Sequence, residues 1–447
     1  MIRFFVQLKH RLQTPAITIY FNLLSIKGKI KWFFSQKYKV IKSEDLQDKK
    51  NIVLFAMYQK DVFRRDVINL LKTLKENNIY VIGVNTQKIK KDSIGEIDKY
   101  FDVYINRYNY GRDFGSYKLG FQKIIFQKLA NRDFDRVLMI NDSVFYSSKN
   151  LNFFVNEMLG SEFEVAGATE NFDVQHHLGS FCIKMDKKII DNKKFKKFWN
   201  SYVVNDVRPN IIKKGELGLS KCLKSCVTNE ADFGAVFGSK LLMKKLIDEN
   251  DKYLFSNIKA LTRQNQNVHW KTFTVQDMFG LINQNIFNKY HIQNTAKSSS
   301  TNITMTGSDS SSEMSSINTI SQAERDKSSM VFSLDDLTVF LRQNLAEFDE
   351  EKHGKDILEK IAHYWYLVFR EGSQVHQNAA LLLYFGCSIV KMDGTLRGFW
   401  TSKEIEPMAD FMNVEDFSDL SQRLYSKNNL GESLIGWRHV AFLKGFI

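Results

Sequence analysis

From Asn51 the chain alternates between short apolar runs and stretches in which apolar residues recur every three or four positions. Ile52 to Met57 is a continuous apolar run of strand length, and Val62, Val67, Leu70, Leu71 and Leu74 follow at the spacing of one helix face. Ile79 to Val84 repeats the strand pattern and closes a strand–helix–strand unit. Phe101 to Ile105 reads as a further short strand, Tyr117 to Leu129 as a helix, and Arg136 to Ile140 as a strand that delivers Asn141 and Asp142 at its carboxyl end. Strands apolar throughout need cover on both faces, and strands alternating with helices pair in parallel. The pattern therefore predicts an α/β fold, a mainly parallel sheet flanked by helices. Ligands of such sheets collect beyond the carboxyl ends of the strands.

After Asn150 the alternation loosens into a helix to about Leu159, strands near Phe163 to Ala168 and Ser180 to Met185, and helices around Lys193 to Tyr202 and Glu216 to Ser225. This mixed half is expected to face an acceptor. Between Thr295 and Ser329 stand 12 Ser and few large apolar residues, the composition of a disordered insertion. From Val331 helical patterns rich in Phe, Leu, Tyr and Trp dominate. The plan is a basic amphipathic segment (1–50), an α/β core (51–294), a serine-rich linker (295–330) and a helical C-terminal part (331–447).

With 447 residues, 43% of them hydrophobic, the chain can bury a large core and is not of the disordered class. The net charge of +13 is uneven: the first 50 residues hold 11 Lys or Arg against 3 acids. A local basic device fits better than a wholly basic protein, and without a nucleic-acid-binding module no nucleic-acid partner is expected. Ile2, Phe4, Phe5, Val6 and Leu8 interleave with Arg3, Lys9, His10 and Arg11, and the stretch from Ile17 to Phe34 carries Lys27, Lys29 and Lys31 beside Trp32. Such segments lie on anionic membrane surfaces, or else pack as ordinary helices on their domain. No apolar run approaches the ~20 residues of a membrane span. Four sparse cysteines and no signal peptide point to a reducing compartment. The expected location is cytoplasmic, peripheral on the inner face of the plasma membrane.

Two glycines bracket an Arg-Asp pair in Asn109-Tyr110-Gly111-Arg112-Asp113-Phe114-Gly115-Ser116-Tyr117, where a strand meets a helix. Free amides and the helix dipole favour phosphate there, and glycine lets a ligand approach the backbone. Arg112 can fork onto a diphosphate and Asp113 can orient it, with Asn109, Gly111, Gly115, Ser116 and Tyr117 as further donor contacts. An Arg-Asp pair pinning a turn is the plainer alternative. Asn141 and Asp142 offer oxygen ligands at the mouth of the sheet. Mg²⁺ or Mn²⁺ takes only one or two carboxylates when a diphosphate completes its shell. A simple Asx-turn is the other reading. Glu170, His176 and His177 fall between two strands, with Glu170 and His177 as acceptor contacts. Glu216, between Gly215 and Gly218 at a helix start, is a candidate base, or a glutamate favoured by the helix dipole. His376 could add a third metal ligand, and Lys391 could offset diphosphate charge. Met57-Tyr58-Gln59-Lys60 follows the first strand in place of Gly-x-Gly-x-x-Gly, which argues against a nicotinamide enzyme.

Taken in order, Asn109 to Lys118, Leu138 to Phe145, His177 to Phe181 and Gly215 to Ser220 resemble motifs of the rhamnan-synthesis F-type glycosyltransferases of bacterial surface polysaccharide assembly. The resemblance spans about Asn51 to Leu223. His376 to Lys391 resembles a diverged family stretch, with Gln374-Val375-His376 replacing the usual Asn-Pro-Thr-His. It implies a GT-A-like, Rossmann-type fold, a nucleotide-sugar donor with rhamnose as the family-name sugar, and a growing glycan or lipid-linked glycan as acceptor. The expected mechanism is a hexosyl transfer in which Arg112 and Lys391 balance diphosphate charge. Asp142, Asn141 and His376 would hold Mg²⁺ or Mn²⁺, and Glu216 would deprotonate the acceptor, with inversion of the anomeric centre. The alternative is a non-catalytic, membrane-associated assembly factor with a degenerate site.

Overall fold

The apolar run at 52–57 is the central strand of an eight-stranded sheet. The computed structural model describes residues 2–34, 38–249, 251–262, 359, 362–363, 365–370, 372–426, 433–443 and 445–446. Among them the strands are β1 (Tyr38–Ser43), β2 (Asn51–Met57), β3 (Tyr80–Asn85), β4 (Val103–Arg107), β5 (Arg136–Asn141), β6 (Val144–Tyr146), β7 (Val165–Gly167), β8 (Glu170–Asn171), β9 (His177–Leu178), β10 (Cys182–Asp186), β11 (Phe233–Ala235) and β12 (Ile389–Lys391). The sheet order is β1-β4-β3-β2-β5-β10-β7-β11, with β1 and β10 running against the others. The mostly parallel sheet agrees with the sequence pattern. β2 pairs with β3 on one side and with β5 on the other, so the chain changes direction across the sheet between β2 and β5. At such a reversal the carboxyl ends of the two strands flank an open crevice.

Helices cover the strands for the reason their spacing gives. Of the helices α1 (Ile2–Phe34), α2 (Arg65–Glu76), α3 (Ile94–Tyr100), α4 (Arg112–Leu119) and α5 (Leu151–Gly160), α2 buries Val67, Leu70, Leu71 and Leu74. The helix read at Tyr117 to Leu129 starts five residues earlier, as α4, and continues as a π-helix over Gly120–Lys128. Phe114, Tyr117 and Phe121 on its inner side pack with Phe195, Trp199 and Tyr202, and the Phe121 and Trp199 rings stack at 4.9 Å. Each such buried side chain contributes about 1.5–3 kcal/mol. The amino end of α4, where Arg112 and Asp113 lie, is thereby fixed to the core.

The chain divides into two compact units, one of residues 1–241 with 369–447 and one of residues 242–368. In the first, the C-terminal segment returns to the core through β12, which pairs antiparallel with β6 and sets Lys391 opposite Val144. The serine-rich stretch 295–330 lies outside the described residues. Of the basic N-terminal segment expected over residues 1–50, residues 2–34 form one helix, α1, with Pro15 inside it, whereas residues 38–43 are the edge strand β1 and belong to the sheet. Among the described residues no helix is long and apolar enough to cross a membrane.

Candidate active site

A cavity of about 780 Å³ opens at the β2–β5 reversal. The end of β2 supplies Ala56, Met57 and Tyr58, the end of β5 supplies Asn141, Asp142 and Ser143, and α4 supplies Arg112 and Asp113. From the C-terminal segment come His376, Lys391, Asp393 and Arg397. Its volume lies in the ordinary range for ligand pockets.

The loop between β4 and α4 is held by Arg107, a residue without a role in the sequence reading. Arg107 is buried, and its guanidinium donates to Ser116 Oγ at 2.8 Å, to the Tyr108 carbonyl at 3.0 Å, and to the carbonyls of Tyr110 and Arg112. Burial pulls its pKa down to about 10, still leaving it charged at neutral pH. Gly111 follows at φ +84°, where a Cβ would lie 1.9 Å from Val204 Cγ1, and its N–H donates to Asp206. Arg112 itself takes φ 48°, in the left-handed region. The turn throws Arg112 toward the cavity while Gly115 and Tyr117 face inward. Tyr117 is fully buried and donates to the Ser180 carbonyl at 3.1 Å. Of the expected donor contacts, Asn109, Arg112, Asp113, Ser116, Asn141 and Lys391 line the cavity, whereas Gly111, Gly115 and Tyr117 shape it from behind.

Arg112, Arg208, Arg397 and Lys391 all line this space. Burial lowers the pKa of Arg112, and the neighbouring Arg208 lowers it further; Arg397 is lowered by the same two causes. Cations that repel one another in a partly dry cleft are stabilised by an arriving anion. Asp393 partly offsets them: it accepts from His376 Nε2 at 2.8 Å and lies 3.6 Å from Arg208 and 3.7 Å from Arg397. Burial opposes its ionisation, but His376, Lys391 and Arg208 together hold Asp393 far below the usual carboxylate range.

The expected metal residues line the same cavity but make separate contacts. The Nδ1 of His376 contacts Ser373 Oγ at 3.0 Å, so both ring nitrogens of His376 are engaged, neither with Asp142. Asn141 is tied at both ends, its Nδ2 donating to Asp113 at 3.0 Å and its Oδ1 accepting from Ser143 Oγ at 2.7 Å. Asp142 Oδ2 accepts from the Tyr58 N–H at 2.7 Å and from Gln59. Among the described residues no three His, Cys, Asp or Glu side chains form a cluster that could hold a metal ion. Two half-buried carboxylates, Asp113 and Asp142, remain, and desolvation raises the pKa of both. Carboxylate oxygens at the mouth of the sheet suit Mg²⁺ or Mn²⁺ carried in by a diphosphate. They do not suit an ion held by protein alone.

Glu216 lines the cavity where a π-helical turn (Ile212–Glu216) passes into the following helix. It accepts from Ser180 Oγ at 2.5 Å and lies 3.5 Å from His177 Nε2, whose Nδ1 contacts the Gln175 carbonyl at 2.8 Å. Burial works to raise the Glu216 pKa, but His177 and Ser180 bring it below its ordinary value of 4.5. Burial works to lower His177, yet Glu216 and the Gln175 carbonyl bring it above 6.5. The pair thus stabilises the fold most between those two values. The glutamate contribution fades as pH falls through its lowered folded pKa, and the histidine contribution fades as pH rises through its raised one. Unfolding measured against pH for His177→Gln should show its deficit largest near pH 6 and shrinking toward pH 9; a constant deficit would contradict the pairing. Glu170 also lines the cavity, fixed by Ser239 Oγ at 2.7 Å and His176 Nε2 at 2.9 Å.

The chain is 21% identical over 175 residues to an uncharacterized protein, y4gN, of Sinorhizobium fredii (strain NBRC 101917 / NGR234), covering 38% of this chain and 45% of that one. It is 28% identical over 182 residues to the virulence protein VirA of Vibrio anguillarum (strain ATCC 68554 / 775), covering 39% of this chain and 56% of that one. The chain spans about half the length of the curated relatives it matches. Residues 79–226, which carry β3 to β5, the Gly111–Ser116 turn and Glu216, match the family described as rhamnan synthesis protein F.

Proposed function

We propose that the chain is a glycosyltransferase that moves a sugar from a nucleoside diphosphate donor to a hydroxyl of a growing surface glycan or lipid-linked glycan. The observation that carries this reading is the convergence of Arg112, Arg208, Arg397 and Lys391 on one cavity, at a sheet reversal, with the ionised Glu216 lining the same cavity. Cations of this number match a diphosphate, and Lys391, which donates to Ser143 Oγ at 2.9 Å, is carried in beside Ser143 by the β12–β6 pairing. Glu216 takes the proton of the acceptor hydroxyl as the acceptor oxygen bonds to the anomeric carbon. The bond from that carbon to the diphosphate oxygen breaks, its electron pair leaves on the phosphate, and the anomeric centre inverts. The four cations stabilise the charge that develops on the leaving group. Asp113 and Asp142 would hold the divalent cation, which when bound supplies Lewis-acid stabilisation to the phosphate oxygens. Glu170 and His177 border the acceptor side.

Calorimetric titration with a panel of nucleoside diphosphate sugars tests this. One or more should bind, and Arg208→Ala and Lys391→Met should each weaken binding by about 10- to 100-fold, the worth of a charge-assisted hydrogen bond. Mn²⁺ alone should give no heat, while Mn²⁺ with the donor should tighten donor binding. A chain that binds no sugar nucleotide would be an assembly factor that keeps the fold without the activity.

A further inference from the structure

Helix α1 has two faces that do different things. Its inner face is fastened to the first unit: Ile17 is buried with Val207, Val440, Ala441 and Phe446, the Phe21 ring stacks on Phe446 at 5.1 Å, and Ser25 Oγ lies 3.3 Å from the Tyr110 hydroxyl. Gly28 on the same face approaches Tyr110 so closely that a Cβ would lie 3.2 Å from the ring. The opposite face carries Ile19, Leu23, Ile26, Ile30, Phe33 and Phe34, each between 51% and 82% exposed. At 100° per residue these six fall within one stripe about 100° wide, with Lys27 and Lys31 along one flank and Lys29 along the other, all exposed. Tyr20 continues the stripe edgewise onto Trp437, at 5.5 Å between rings, and Trp437 is 45% exposed beside Arg438.

The geometry points to the outer face of α1, extended by Trp437, as a docking surface for an anionic phospholipid bilayer, on which the helix lies in the plane of the headgroups. A packing helix turns its apolar stripe to the core; here the stripe points away and the core is met by the other face. Lysines at the stripe's flanks place their ammonium groups at headgroup level while their stems follow the apolar side, and exposed Trp and Tyr favour the same boundary. The inner face of the same helix touches Tyr110, whose neighbour Gly111 begins the turn presenting Arg112, so docking on the outer face holds that turn one helix diameter, ~10 Å, from the bilayer.

Sedimentation with vesicles of phosphatidylcholine alone, or mixed with phosphatidylglycerol, tests this on the full chain. The chain should bind the mixed vesicles and lose binding as salt is raised. The triple variant Lys27→Glu, Lys29→Glu, Lys31→Glu should weaken binding on the order of 100-fold, at roughly fivefold for each lysine. Ile26→Glu with Ile30→Glu should weaken it comparably while circular dichroism and the donor titration stay unchanged, since both side chains are exposed. Equal binding by these variants, or no binding by the wild type, overturns the proposal. A wild type that dimerises and ignores vesicles, with the Ile26 and Ile30 variants monomeric, overturns it in favour of a second copy on this face. Vesicle binding needs no donor, so its failure leaves the transferase reading standing, and failure of the donor titration leaves the docking surface standing.

Discussion

Glu216→Gln is expected to lower kcat by about 100- to 10,000-fold, the usual contribution of a general base, while leaving the donor dissociation constant within about twofold. The substitution keeps the shape of the side chain and its contact with Ser180 Oγ, and removes the group that accepts the proton together with the negative charge facing His177. Loss in kcat with unchanged donor binding is the signature of an interaction made in the transition state. Because His177 and Ser180 hold the Glu216 carboxyl below 4.5, the wild-type rate should stay on its plateau down to that region and fall below it as the base becomes protonated. The residual rate of the Glu216→Gln variant would carry no such acid limb. Turnover within about threefold of the wild type, by transfer of a labelled sugar, would remove Glu216 from the base role and shift attention to Glu170 and Asp113, which line the same cavity.

How much of this was legible in the sequence depends on how far each feature reaches along the chain. β2 and β5 are continuous apolar runs because both faces of the central sheet are covered, so their carboxyl ends, and with them Asn141 and Asp142, could be placed from pattern alone. The inward turn of Tyr117 was also within reach, since Phe114, Tyr117 and Phe121 recur at three and four residues and mark the buried face of α4. That periodicity outweighs the motif in which Tyr117 and Gly115 stand. Lys391 could be suspected, but its arrival beside Ser143 depends on β12 pairing with β6, a contact between strands about 250 residues apart. Arg208, Asp393 and Arg397 carry no local signal, because a lone charged residue reads the same on a solvated surface as in a cleft. His376 reads as a site residue and does line the cavity, where its ring contacts Asp393, seventeen residues on, a pairing that no local spacing announces.

Arg107→Met is expected to cost roughly 3–5 kcal/mol of stability and to abolish measurable donor binding, although Arg107 stands behind the cavity wall. Its guanidinium is the common donor to three carbonyls and one hydroxyl of the segment from Tyr108 to Ser116, and methionine would leave those acceptors buried without their donor. The left-handed turn at Gly111 and Arg112 is backbone that only surrounding contacts maintain, so its collapse would swing Arg112 away from Arg208 and Asp113. Arg107→Lys restores the charge but not the planar fork, and should recover part of the stability and little of the donor affinity. That split separates holding the loop's geometry from merely balancing Asp206 and Asp113, whose negative charges lie near Arg107. Urea unfolding followed by circular dichroism, paired with the donor titration, reads both effects. If Arg107→Lys matched the wild type in donor binding, charge and not geometry would be what this buried arginine supplies to the loop.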